Sequence, residues 1–357
     1  MYESRFFLGA NTKNGFISRF DELRNLQNYR HQYIIKGCPG SGKSTFMRKI
    51  AHAAAKNGFR VEQILCSSDA ESLDGVIIHD LGLSFADGTA PHIVEPRYPG
   101  VNESYIDFSP YWNTHGLLSV GREIKELDAR IKSCYRCAYG YLKCAGIYEN
   151  MLFDSVQVTR TDELHRRITG LISRELPKQK KTVKPGSRFV RFLSGYTPQG
   201  YLTCMETVYA MCDRVIGLAD DFGIASAVLK QCADAAVAAG FDVFDCIEPL
   251  YGEHRTEHLL IPALRLGFVS MKRDDKRFAV NKRINLNPYV CELDFGEEQR
   301  HMKCLRSKQR ECVLAGTEQI AKAKTYHDLL EQTYRPHIDF SGIDALTQKW
   351  IEELDLV

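Results

Sequence analysis

The chain has no apolar run near the roughly 18 residues that a membrane span needs, and its first residues, Met1 to Arg5, are not a basic segment leading into a long apolar stretch. Neither a membrane protein nor a secreted one is expected. Charge bias is also missing. Across 357 residues the formal net charge is +2, which gives no general attraction to nucleic acid or membrane. Hydrophobic content of 44% and charged content of 26% are those of an ordinary globular protein, long enough for two cores. The twelve cysteines are scattered rather than grouped into a disulfide framework. Together these absences point to a cytoplasmic protein with reduced thiols.

One motif carries most of the chemistry. Gly37-Cys38-Pro39-Gly40-Ser41-Gly42-Lys43-Ser44 satisfies G-x-x-x-x-G-K-[ST], and Thr45 follows it. In such a loop, backbone N–H groups of residues 40–45 wrap phosphates. Lys43 reaches the β/γ-phosphates, and the Ser44 hydroxyl ligates Mg²⁺. The context fits. Tyr33-Ile34-Ile35 reads as a buried strand, and Phe46, Met47, Ile50, Ala53 and Ala54 recur at helical spacing until Asn57-Gly58. Phosphates would therefore sit at a helix N-terminus. From these residues the chain resembles the P-loop NTPase superfamily.

The sequence repeats itself. Arg5-Phe6-Phe7-Leu8-Gly9 is echoed by Arg191-Phe192-Leu193-Ser194-Gly195. Ala51 to Val61 is echoed by Ala233 to Val243, with six of eleven pairs identical. Leu73 to Ile78 matches Thr256 to Ile261, and the helical tail from Tyr148 to Leu176 matches Tyr326 to Leu354. A duplicated unit follows. The expected fold is α/β, with two tandem units at residues 1–180 and 181–357. Each is a mainly parallel sheet flanked by helices, with a helical tail. The polar, basic stretch Pro177 to Gly186 reads as a linker, and no aromatic interleaving suggests nucleic acid there.

The second copy lacks the phosphate loop. Aligning Gly42 with Gly223 places Ile224 at Lys43, Ala225 at Ser44, and Asp220 and Asp221 at Pro39 and Gly40. Two carboxylates facing phosphate with no lysine would cost on the order of 3–4 kcal/mol. The second site is therefore expected to be degenerate.

The Mg²⁺ shell needs a carboxylate at a strand end. Asp87, ending Leu83-Ser84-Phe85-Ala86-Asp87, leads, with Asp80 and Asp69 as alternatives. No Glu follows Asp87, so slow hydrolysis or transfer to an acceptor other than water is expected. Thr89 and His92 stand in the following turn as candidate γ-phosphate contacts, and Arg97 and Arg255 as candidate charge-stabilising fingers. Leu193 to Gly200 has the look of a transporter-ATPase signature, but the repeat makes it a hairpin turn. Cys134, Cys137 and Cys144 have no fourth ligand and read as thiols buried in a helical core. Cys38, inside the loop, reads as a small residue through which an oxidant or alkylator would block nucleotide.

A closer resemblance rests on three stretches: Ser72-Leu73-Asp74-Gly75-Val76, Asp87-Gly88-Thr89-Ala90-Pro91-His92 and Glu95-Pro96-Arg97-Tyr98-Pro99-Gly100. With the duplication, these resemble a bacterial family of uncharacterised, internally duplicated P-loop ATPase-like proteins. The resemblance implies cytosolic nucleotide binding. Members carry a P-loop in each half, from which Asp220 to Ala225 departs. The function expected is ATP binding with slow Mg²⁺-dependent hydrolysis, through catalytic Lys43 and Asp87 and with Ser44 and Asp87 at the metal. The alternatives are a small-molecule or nucleotide kinase and a non-catalytic nucleotide-dependent switch.

Overall fold

The structure, a computed structural model, describes residues 3–26, 28–91, 93–177, 184–252, 255–276, 278–292 and 297–356. The first half runs β1 (Glu3–Phe7), β2 (Gly9–Thr12), β3 (Gly15–Ser18), β4 (His31–Lys36), α1 (Lys43–Lys56), β5 (Val61–Cys66), β6 (Asp69–Ile78), β7 (Leu83–Asp87), β8 (Glu103–Asp107), α2 (Thr114–Ser119), α3 (Gly121–Asp154), β9 (Val156–Val158) and α4 (Thr161–Glu175). The second half repeats the sheet strands, the hairpin and the paired tail helices, with a short helix added after the hairpin and the last strand placed before the long helix. It runs β10 (Arg188–Arg191), β11 (Ser194–Thr197), β12 (Gly200–Thr203), α5 (Met205–Met211), β13 (Arg214–Ala219), α6 (Ala225–Ala238), β14 (Val243–Ile247), β15 (Thr256–Ile261), β16 (Leu266–Met271), β17 (Lys282–Asn285), β18 (Val290–Glu292), α7 (Glu297–Tyr334) and α8 (Phe340–Glu353).

Each half forms a six-stranded sheet, ordered β1-β5-β6-β7-β4-β8 and β10-β14-β15-β16-β13-β17. The orders correspond strand for strand. In these sheets β6 and β15 run antiparallel to both of their neighbours, each following one flanking strand and leading into the other without a crossover helix. The central strands are near-continuous apolar runs, as sheets covered on both faces require. Ile34, Ile35, Phe85 and Ala86 are fully buried in the first half, as are Ile216, Leu218, Phe268 and Val269 in the second. The segment from Leu193 to Gly200 lies in the β11–β12 hairpin, the counterpart of β2–β3.

The halves meet on a local two-fold axis. The strand registers set Phe7 against Phe192 as counterparts, one residue off the match of Arg5 with Arg191 in sequence, and the two pair with each other: each N–H donates to the other's carbonyl, at 2.8 and 3.0 Å. Beside this bridge, the Arg191 guanidinium of the second half donates to the Glu62 carboxylate of the first, and both side chains are fully buried. Burial alone would raise the Glu62 pKa, but Arg191 and His79 outweigh it and pull the group down to about 2.

The tails cross over. α3 and α7 lie antiparallel, with Glu149 bonded to Gln309 near one end and Glu123 to Thr333 near the other. Beyond them, α4 of the first half buries Ile168 and Leu171 against Val228 and Leu229 of α6. α8 of the second half buries Ile343 against the first half's core and sets the Trp350 ring 4.6 Å from Tyr33 and 6.5 Å from Phe46. β9 pairs with β18, and the Trp112–Ile338 bridge is its counterpart. The blocks 1–180 and 181–357 therefore each hold one sheet and exchange their last helices. Of the 177–186 linker, residues 178–183 lie outside the described residues. Among the described residues, no helix is long and apolar enough to cross a membrane.

Candidate functional site

The glycine-rich loop leaves β4 at the sheet's C-terminal edge and enters α1. β4 lies between β7 and β8 and is parallel to both, so Asp87, opposite Ile35 on β7, reaches the same edge. Gly40 (φ +70°) and Gly42 (φ +87°) take left-handed backbone that a side chain would strain. Gly42 is the N-cap of α1. The Lys43 ammonium folds back over the loop, donating to the carbonyls of Gly37 (2.8 Å) and Cys38 (3.0 Å), and lies 3.5 Å from Asp87 Oδ2. Asp87 Oδ1 accepts from the backbone N–H (2.9 Å) and hydroxyl (2.6 Å) of Thr89. Ser44 Oγ accepts from Leu73 N–H at 2.9 Å and keeps its own proton for donation. The backbone N–H groups of Gly40, Gly42, Lys43, Ser44 and Thr45 have no acceptor among the described residues, and α1 has no acidic residue in its first turn. The result is a nest of donors at a helix N-terminus, which favours an anion.

The other candidates separate clearly. Asp80 sits at the opposite end of the sheet and is held by Arg60 at 2.6 Å. Asp69 is at the loop's end of the sheet but is engaged by Ser72 and by Lys324 of α7. Thr89 holds Asp87 rather than standing free for a phosphate, and His92 lies outside the described residues. Arg97 pairs with Asp21 near the start of β8, away from the loop. Arg255 stands at the second half's loop, its Nη2 close against Gly223. Cys38 is buried, and burial raises its thiol pKa despite nearby Lys43, so it is a poor nucleophile. Of the three helical cysteines only Cys134 is buried. Cys137 and Cys144 are exposed, because α3 buries only one stripe, Cys134-Ala138-Leu142-Ala145, against its neighbours. A groove of about 630 Å³, rimmed by Arg48, Lys49, His52 and Lys56, runs along the outer side of α1 beneath Ile351 and Leu356.

The second loop explains the first. Gly223 has φ +86°, matching Gly42, and opens the corresponding helix. Asp220 turns inward, 3% exposed. Its Oδ1 accepts from the N–H groups of Phe222 (2.9 Å) and Gly223 (2.8 Å), and its Oδ2 from Ala225 (2.7 Å). Asp221 turns the other way, to the Asn287 amide and the Arg273 N–H. The expectation that both carboxylates face the phosphate position is thus corrected. One carboxylate fills the nest, and the other is spent on a neighbouring loop.

Sequence reasoning missed the cover over the first loop. It comes from the second half. A Cβ added to Gly40 would lie 3.0 Å from Glu331 Cβ and 3.2 Å from its Cα, while Ile343 and Phe340 stand 3.9 and 4.0 Å from the same position on Gly42. Glu331, His327 and Asp328 gather ligand atoms within 4.8 Å of one another, although Asp328 also pairs with Lys324. Over the second loop the first half's tail helix places Phe153, which packs against Gly223. Comparison with known proteins finds no matching family model, curated protein or solved structure.

Proposed function

We propose that the first half binds a nucleoside triphosphate, ATP with Mg²⁺, through Gly37–Thr45 and hydrolyses it slowly. The observation that carries this reading is the contrast between two loops on one topology. The same nest of backbone donors holds an internal carboxylate in the second half and is unpartnered in the first. The fold's own second copy indicates that the geometry takes an anionic oxygen, and only the first copy adds a lysine.

Lys43, already turned over the loop and 3.5 Å from Asp87, exchanges the Gly37 and Cys38 carbonyls for phosphate oxygens. The Ser44 hydroxyl and the Asp87 carboxylate form an oxygen donor set at one edge, which suits a hard divalent cation. Bound there, Mg²⁺ would neutralise charge on the β- and γ-oxygens. Thr89 fixes the Asp87 carboxylate, and Lys36 pins the following loop through Gly88 O (2.8 Å) and Val94 O (3.2 Å). No glutamate follows Asp87 to activate water, in keeping with slow turnover. The cover from α7 and α8 favours a second reading, a nucleotide-dependent switch, since the loop lies directly against the other half.

Phosphate release by the wild type and by Lys43→Ala tests the proposal. Turnover without an added acceptor, lowered on the order of a hundredfold in the variant, supports hydrolysis. Turnover only with metabolite pools indicates a kinase, and tight binding without turnover a switch. A wild type that binds no nucleotide contradicts every version.

A further inference from the structure

We propose that Glu331, carried over the loop by the second half's tail, makes the site select the metal complex of the nucleotide over the free nucleotide. This rests on the nucleotide-binding reading above and goes beyond it by assigning the selectivity to a residue of the other half.

The argument is electrostatic. The last turns of α7 bring Glu331 into direct contact with Gly40, in the middle of the donor nest. The helix position is fixed on both sides. Lys324 ties α7 to Asp69 at 3.4 Å, and beyond Glu331 α8 is clamped to α1 by Lys49–Asp344 at 2.7 Å. Glu331 therefore cannot leave the loop without unpacking the tail. Its Cβ stands 3.0 Å from the position a Gly40 Cβ would take, so the carboxylate, two carbons further on, is within reach of the phosphate position and adds a negative charge to those of Asp87, Asp69 and Asp328. Asp87 is balanced by Lys43, and Asp69 and Asp328 by Lys324. The charged or titratable neighbour of Glu331 is His327, with Nδ1 3.7 Å from Oε1. The basic residues of α1, Arg48, Lys49, His52 and Lys56, line its outer groove.

The second half provides the control. There the nest holds one carboxylate, Asp220, with no metal chemistry to serve, and the cover is an uncharged ring, Phe153. The Arg255 guanidinium, 4.3 Å from that ring, is itself paired with Glu248 at 2.9 Å and Glu149 at 3.5 Å. An anion alone is covered by an apolar ring. A carboxylate cover is favourable only when the anion arrives with its own cation. Free triphosphate meets repulsion from Glu331, whereas a bound divalent ion cancels that repulsion or gains from the extra carboxylate.

Calorimetric titration of the full-length protein with ATP, once with Mg²⁺ and once with EDTA, tests this. For Glu331→Gln, binding of metal-free ATP tightens on the order of tenfold while Mg-ATP changes less, so the selectivity ratio collapses. Glu331→Asp keeps the charge and keeps the wild-type ratio. Equal changes in both forms for Glu331→Gln, or an unchanged ratio, would overturn the proposal and leave nucleotide binding intact. Failure of the wild type to bind either form would overturn the underlying reading with it.

Discussion

Removing the Asp220 carboxylate gives the sharpest quantitative expectation. The group is almost fully buried and accepts three backbone N–H bonds at 2.7–2.9 Å. Hydrogen bonds to a charged group contribute about 1.5–3 kcal/mol each. Water entering the vacated nest restores part of this, so the net loss for Asp220→Ala is on the order of 3 kcal/mol. For a chain of 357 residues the unfolding entropy makes this about 1–2 °C per kcal/mol, so the melting temperature falls by roughly 3–6 °C. The nest itself survives, because its geometry is set by the β13–α6 connection and by Gly223 at φ +86°. Inorganic phosphate or acetate should therefore rescue the variant, through the stabilisation any ligand gives the state that binds it. Differential scanning fluorimetry of wild type and Asp220→Ala across an anion series measures both effects, the wild-type series correcting for anion binding at the first loop. A loss under about 0.5 kcal/mol, or a full loss with no anion-dependent recovery beyond that of the wild type, would refute the view that the second loop is an anion nest filled from within.

Three other expectations follow from buried groups. Glu62→Gln removes one of the two carboxylates that pair with the fully buried Arg191 and leaves it Glu22 at 3.1 Å, so it should cost on the order of 3 kcal/mol in urea unfolding; a neutral effect would contradict the pairing. Burial, with the Glu149 charge adding and Arg255 opposing, raises the Glu248 carboxyl to about 8. A folded-state pKa above the unfolded one gives stability that is full below about pH 4.5 and is lost as pH rises through 8. Glu248→Gln should flatten that decline in a melting series from pH 4.5 to 9. A thiol reagent on the native protein should modify Cys137, Cys144 and Cys304 quickly and Cys38 slowly, with Mg-ATP slowing Cys38 further; mass mapping that finds Cys38 among the fast sites would contradict its burial.

The parts of this molecule that were legible in the sequence are those governed by local rules. The loop at Gly37 and the helix after it depend on neighbouring residues, so Phe46, Met47 and Ile50 could be assigned to the sheet-facing side from spacing alone. The duplication was legible because both copies keep the same landmarks. What depends on distant chain was not. The apolar stripe of the last helix, with Ile343 and Trp350, announces a buried face but not whose core it enters, and it enters the first half's. Asp220 looked repulsive because adjacency in sequence does not reveal that one of two neighbouring carboxylates folds inward onto the backbone. Cys137 and Cys144 looked buried because a helical repeat does not say which of its stripes meets another helix. Glu331 carried no signal at all. It is one glutamate in a long charged helix, and only the crossing of the tails brings it to Gly40.

The central claim is that a duplicated chain keeps one working anion nest and fills the other with its own carboxylate. Nucleotide stoichiometry tests this most directly, by calorimetry with Mg-ATP on the wild type and on Lys43→Ala. The account predicts one nucleotide per chain in the wild type and loss of that binding in the variant. Two nucleotides per chain, or one that survives the loss of Lys43, would contradict it.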